Sequence, residues 1–161
     1  MQYISVEHQK AINERLKTAS VIVFAFCVSI GVFALIGRFI PPPEIGFGSG
    51  MFNSIIGPVV IVMAVAVIIL RRVWMWALVM RVATQAGVPA TLNRLMQMTL
   101  VCAALSEAVA IVGLMSYLGT GNYRYSLILC LVSLLLLLYT ALPRRGEWTR
   151  AVAAADANKR N

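Results

Sequence analysis

The chain contains few charged residues. Only 12% of its 161 residues are charged and only six are acidic, whereas 60% are hydrophobic. Soluble globular domains carry about 25% charged residues, and one small domain cannot hide so much apolar surface from water. The composition therefore excludes an ordinary soluble fold and predicts an integral membrane protein.

The chain is also poor in residues that bind metals and cofactors. Its only histidine, His8, precedes the first apolar run, so no imidazole within the membrane can ligate a haem. The three cysteines lie inside apolar runs and none forms a C-x-x-C pair, which predicts buried thiols and no disulfide or iron–sulfur framework. No spacing fits a metal site or a Ser/His/Asp set. We therefore expect no cofactor, no metal and no enzymatic activity.

Four apolar runs are long enough to cross a hydrocarbon core, which takes about 20 helical residues. They comprise residues 18–39, 52–70, 95–118 and 125–142. They predict an all-α fold with four transmembrane helices arranged as two hairpins. Residues 1–17 form a cytoplasmic lead-in and residues 143–161 a cytoplasmic tail. The long polar lead is unlike a cleavable signal peptide, so the first run is expected to remain as a span.

Three parts of the chain give weaker predictions: the lead-in, the tail and the fourth span. The lead-in is typical of a short amphipathic helix, with Ile12 and Leu16 on one face. Two interpretations of it remain open: a solvated extension of the first span, or a helix that lies on the membrane or docks onto a partner. The alanine-rich tail predicts a short helix that frays. The fourth span is expected to face lipid, because its leucine run 134–138 is apolar on every side.

Basic residues are distributed very unevenly along the chain. Twelve of the 14 lysines and arginines precede the first span, lie between the second and third, or follow the fourth, and the other two are Arg38 and Arg124. By the positive-inside rule this pattern places both termini in the cytoplasm and indicates a cell inner (plasma) membrane. It also favours contact with anionic lipid headgroups. The basic residues are not interleaved with exposed aromatics, so no nucleic acid is expected as a partner.

Tryptophans and arginines follow the second and fourth spans. Such combinations are typical of residues that anchor a helix at the level of the lipid headgroups. The predicted interface anchors are Trp74, Trp76, Trp148, Arg71, Arg72, Arg144 and Arg145.

Glu107 is the only acid inside any apolar run. A charged side chain at the bilayer centre costs roughly 3 kcal/mol or more unless it is paired, protonated or facing a cavity, so Glu107 is the candidate ion-binding residue. Ser29 is its preferred hydrogen-bond partner, because the first and third spans run in the same direction and place the two residues at similar depth. Ser106 and Ser133 are second choices. Small residues beside the acid favour burial against a neighbouring helix, and they are Ala103, Ala104 and Ala110.

The segment around this acid, residues 103–114, reads AALSEAVAIVGL. It resembles the carboxylate helix of the proteolipid c subunits of rotary F- and V-type ATPases, in which one membrane-buried acid is followed by a small residue and then by an Ile-x-Gly-Leu stretch. The connection at 81–94 is similar in side and position to the polar cytoplasmic loop of that family. The resemblance implies that Glu107 binds and releases a translocated proton or sodium ion.

Two functions remain open. The small size, the single intramembrane acid and the lack of cofactor ligands favour a non-catalytic subunit of a larger membrane protein complex, in which Glu107 contributes to helix packing and assembly. Its partners would be the lipid bilayer and other membrane subunits or its own copies. The alternative is a proton- or cation-translocating proteolipid that uses Glu107 as the carrier. A third interpretation is that Glu107 belongs to a site that binds a lipid, a quinone or a partner subunit.

Overall fold

The chain folds as a helical bundle. A computed structural model describes residues 6–41, 49–74, 77 and 79–158. Its helices are α1 (Val6–Phe39), α2 (Ser49–Trp74), α3 (Met80–Thr120), α4 (Tyr123–Thr140) and α5 (Arg145–Asn158). Within these described ranges, four helical segments are long and apolar enough to cross a membrane. The predicted all-α, four-span fold is confirmed.

Helices α3 and α4 form the centre of the bundle. They pack most closely against each other, α1 packs against both, and α2 packs mainly against α3. Within the most apolar stretch of each span, 44% of the residues are buried in the third and fourth spans, but only 17% in the first and second. Helices α1 and α2 therefore present most of the surface that contacts lipid.

The expectation that the fourth span faces lipid is wrong. In its leucine run, Leu136 and Leu137 are buried, whereas Leu135 and Leu138 face outward. The other buried residues of α4 recur every three or four positions, and most of them are small or carry a hydroxyl or thiol group. Such side chains let helices approach closely; in α4 they are Ser126, Cys130, Ser133 and Thr140.

Hydroxyl groups and one glycine define the contact between α3 and α4. Ser133 Oγ donates a hydrogen bond to the backbone oxygen of Ser106 at 2.6 Å, and Ser106 Oγ lies 3.4 Å from Thr140 Oγ1. A β-carbon added at Gly113 would lie 2.8 Å from Leu129 Cβ. Real β-carbons do not come so close, so the absence of a side chain at Gly113 sets the distance between the two helices.

Helix α3 is interrupted near its start by Gly87. This residue has φ 76° and ψ −178°, a conformation that is essentially restricted to glycine. The sequence predicts a break at Gly87 and Pro89, but it places the restart at a cap on Thr91 or Asn93. The helix instead resumes at once, and Thr91 Oγ1 donates to the oxygen of Gly87 at 2.9 Å. The break turns the segment before it toward the C-terminal helix.

Helix α5 is a packed element, which corrects the expectation of a fraying tail. Its apolar face is buried together with residues of α1 and of the first half of α3, at the end of the bundle that carries both termini. We term this group the termini cluster; its buried members include Ile12, Ala19, Val79, Ala83, Leu92, Leu95, Trp148, Ala151 and Val152. At its edge, His8 Nδ1 lies 3.9 Å from Asp156 Oδ1. The described part of the lead-in is continuous with α1 and buries Ile12 (3% exposed) against this cluster.

Candidate functional site

Glu107 lies near the middle of α3 and is half-buried. Its carboxylate Oε1 accepts a hydrogen bond from Ser29 Oγ, which belongs to the middle of α1. The structure thus brings together the two residues that the sequence places at the same depth. The carboxyl group has a polar partner across the contact between α1 and α3.

Small side chains on α3 allow this contact. Ala103 and Ala110, about one helical turn on either side of Glu107, are fully buried, and they pack in one cluster with Val23 and Ile30 of α1. Because each presents only a methyl group, α1 can lie close to α3. The short side chain of Ser29 therefore reaches the carboxylate.

The opposite side of Glu107 is open. A row of α3 residues at helical spacing is exposed from residue 97 to residue 115, on both sides of Glu107. We term it the open α3 face; it consists of Gln97, Leu100, Ala104, Ile111 and Met115. Helix α1 packs on the side of Ala103, and α2 packs on the side of Val109, so the open α3 face lies between them. Ala104 was expected to pack against a neighbouring helix, but it is exposed in this chain.

Ser106 belongs to a different contact. Its hydroxyl is fully buried and donates to the backbone oxygen of Cys102 at 2.8 Å. Consecutive helical side chains are rotated by about 100°, so Ser106 faces α4 while its neighbour Glu107 faces α1. Ser133, which belongs to α4, donates its hydrogen bond to the backbone oxygen of Ser106 in this same contact. Of the hydroxyl partners suggested by the sequence, Ser29 is thus the one that the structure places on the carboxylate.

The chemistry of the site follows from these few oxygens. The Glu107 carboxyl and the Ser29 hydroxyl can hold a proton without further help. Hard cations such as calcium take about six or more oxygen ligands, so a cation would need oxygens from another molecule. Among the residues that the structure describes, no group of three or more His, Cys, Asp or Glu side chains is placed to hold a metal ion.

The predicted tryptophan anchors have different environments. Trp148 is 2% exposed and lies inside the termini cluster, so it is a core residue and not a headgroup anchor of this chain. Its position is fixed because α5 folds back onto α3 rather than leaving the bundle. Trp74 is half-buried at the edge of the same cluster. Trp76 lies outside the described residues.

The predicted arginine anchors also differ in how far they are buried. Arg71 is mostly buried: its Nη1 donates to the backbone oxygen of Tyr139 at 3.0 Å, and its Nη2 lies 3.1 Å from Glu147 Oε2. Sequence reasoning missed this pair, although Glu147 follows Arg144 and Arg145 closely in the sequence. Arg71 therefore ties the end of α2 to α4 and α5. The exposed members are Arg72, Arg144 and Arg145.

Comparisons with other proteins do not assign the site. Protein-family models, curated proteins and solved structures all give no match to this chain. The resemblance of residues 103–114 to the c subunits of rotary ATPases therefore stays a prediction from the sequence. The function has to be inferred from the environment of Glu107 itself.

Proposed function

We propose that this chain is a small non-catalytic subunit of a membrane protein assembly, and that a second membrane-spanning chain binds along the open α3 face. The observation that carries the proposal is the position of Glu107. It lies at mid-span, bonds to Ser29 on one side, and is partly exposed at the edge of the open α3 face on the other.

The energetic balance favours such a partner. A charged group at the bilayer centre costs roughly 3 kcal/mol on insertion scales. A hydrogen bond between membrane helices averages only about 0.6 kcal/mol, so the bond from Ser29 offsets a small part of this cost. A second chain that covers Glu107 would remove it from lipid and supply further polar groups.

The surface beside the acid is suited to a close helix contact. Ala104 is exposed next to Glu107 and leaves room for the backbone of another helix. Leu100 and Ile111 flank it and are 47% and 42% exposed. The partner would be another copy of this chain or a different membrane subunit.

A leucine at position 104 is expected to disrupt this assembly. Ala104→Leu adds a bulky side chain to the open α3 face without touching the contacts inside the bundle. Ala66→Leu is the matched control, since Ala66 is an exposed alanine of α2. Cross-linking in native membranes followed by size-exclusion chromatography in a mild detergent measures the size of the assembly. The proposal fails if the wild-type chain purifies alone as a monomer, or if Ala104→Leu assembles as well as Ala66→Leu.

The partial exposure of Glu107 also favours a second candidate function. A carboxyl group that reaches the surface of the bundle can exchange its ion with a pathway formed by another chain. Glu107 is placed in this way at the edge of the open α3 face. In this alternative the chain is a proton- or cation-translocating proteolipid and Glu107 is the carrier, as the resemblance to c subunits implies.

One substitution separates the two functions. For a packing subunit, Glu107→Gln should leave assembly and activity of the complex nearly unchanged, because the amide oxygen still accepts the bond from Ser29. For a carrier, it should abolish ion flux while assembly remains intact. Flux across vesicles reconstituted with the purified assembly measures this. We expect no loss; loss of flux together with selective carbodiimide modification of Glu107 would establish the carrier instead.

We further propose that both termini lie in the cytoplasm, as the positive-inside rule predicts. Cysteine at Arg124, in the exposed first turn of α4, should react with an impermeant maleimide on intact cells. Cysteine at Gly146 should react only after lysis, and this site has open space around it. The three native cysteines lie within the spans, so labelling of the wild-type chain measures the background reaction with the maleimide. The reverse labelling pattern would overturn the topology.

A further inference from the structure

A cavity of about 290 Å³ opens at the surface between the ends of α2, α4 and α5. Four guanidinium groups and one carboxylate line it, which leaves three formal positive charges. These groups belong to Arg71, Arg72, Arg144, Arg150 and Glu147. Most of the remaining lining is apolar or aromatic, and it includes Ile68, Val79, Met80 and Tyr139.

Two of the arginines are held in place by one acid. The side chain of Arg71 is 15% exposed and bonds to Glu147 Oε2 at 3.1 Å. Arg144 Nη1 lies 3.7 Å from Glu147 Oε1, and its guanidinium carbon lies 5.9 Å from the centre of the Tyr139 ring. Because Glu147 serves both arginines, it neutralises only one of the two charges.

The other two arginines provide unused charge. Arg72 and Arg150 are both exposed. Within the described ranges, neither forms an ion pair, and the nearest acid of the cavity, Glu147, is bound to Arg71 and Arg144. Their long side chains can therefore turn toward a ligand in the cavity. An anion bound there would gain two free guanidinium groups and the nearby charge of Arg71 and Arg144.

We propose that this cavity binds the phosphate group of an anionic phospholipid. Guanidinium groups bind phosphate oxygens through paired hydrogen bonds, and basic pockets between membrane helices are suited to anionic headgroups. The surrounding wall favours a lipid over free phosphate. Ile68 and Tyr139 at the mouth of the cavity are 37% and 58% exposed, so acyl chains can lie along them while the headgroup enters.

Lipid titration of the full-length protein tests the site. Protein purified in mild detergent and stripped of lipid is titrated with phosphatidylglycerol, with phosphatidylcholine and with inorganic phosphate, and bound molecules are counted by native mass spectrometry. Arg72→Gln combined with Arg150→Gln removes the two unpaired arginines of the cavity. Arg15→Gln combined with Arg145→Gln is the matched control, because it removes two exposed arginines that do not line the cavity.

We expect one phosphatidylglycerol to bind tightly and phosphatidylcholine to bind weakly. The cavity variant should bind phosphatidylglycerol about 25-fold more weakly, from roughly a fivefold loss for each arginine. The control should bind within about twofold of the wild type. Equal losses in both variants would show a diffuse surface charge and overturn the site. Binding of inorganic phosphate as tight as that of the lipid would overturn its assignment to a phospholipid.

Discussion

Replacing Trp148 with alanine is expected to lower the free energy of unfolding by about 3–5 kcal/mol, the range for buried Phe and Trp truncations. Trp148 is 2% exposed in the termini cluster, where it packs with residues of α1, α3 and α5. Trp148 itself follows the fourth predicted span, 125–142, so burial of its side chain away from water is favoured by the hydrophobic effect. The truncation should release α5 from the bundle.

Limited proteolysis and thermal unfolding in detergent measure this effect. Trp148→Ala should make α5 sensitive to protease and lower the melting temperature. Phe24→Ala is a suitable control, since Phe24 is 69% exposed on the outer surface of α1. Its loss changes mainly the contact with lipid or detergent. Equal stability of the two variants would mean that α5 contributes nothing to the bundle.

Valine at position 113 is expected to destabilise the bundle by about 3 kcal/mol, at the upper end of the cost of overpacking. A β-carbon there would lie 2.8 Å from Leu129 Cβ and 3.3 Å from the backbone oxygen of Ser126. Neither atom is the end of a flexible side chain, so α3 and α4 would have to separate. This is the most closely packed pair of helices in the bundle.

The matched control for this variant is Gly31→Val. A β-carbon at Gly31 would meet nothing within 4 Å, and Gly31 is exposed on α1. Both variants add the same branched residue to a helix, so their difference isolates the clash between α3 and α4. Thermal unfolding of the two proteins in the same detergent gives this difference. Equal melting temperatures would contradict the close approach at Gly113.

The sequence predicts those features of the fold that depend on the length of an apolar run and on the depth of a residue in the membrane. Hydrophobic runs of about 20 residues specify the spans because the bilayer core has a fixed thickness. Ser29 lies eleven positions into the run that begins at residue 18, and Glu107 lies twelve positions into the run that begins at residue 95. Because those two spans run in the same direction, similar offsets place the two side chains at the same level. The structure joins them by a hydrogen bond.

The sequence does not predict equally well which sides of the helices are buried. Lipid tails are as apolar as leucine, so hydropathy cannot distinguish contact with lipid from contact with another helix. The leucine run of α4 therefore gave no indication that one side of this helix is buried. Ser126, Ser133 and Thr140 do follow helical spacing along that side. The bond between Arg71 and Glu147 joins residues 76 positions apart. Neither the local residue pattern nor the hydropathy of the chain can predict an ion pair between residues so far apart in the sequence.

The termini cluster has a consequence for the order in which the molecule is completed. It joins Ile12, before the first span, to Trp148, after the fourth. During synthesis α1 therefore enters the membrane well before its partner in α5 exists. The apolar side chains of the cluster on α1 and α3 stay uncovered until all four spans have been made. The contact between α1 and α5 is thus the last to form, and the termini end of the bundle is closed only when α5 has been made.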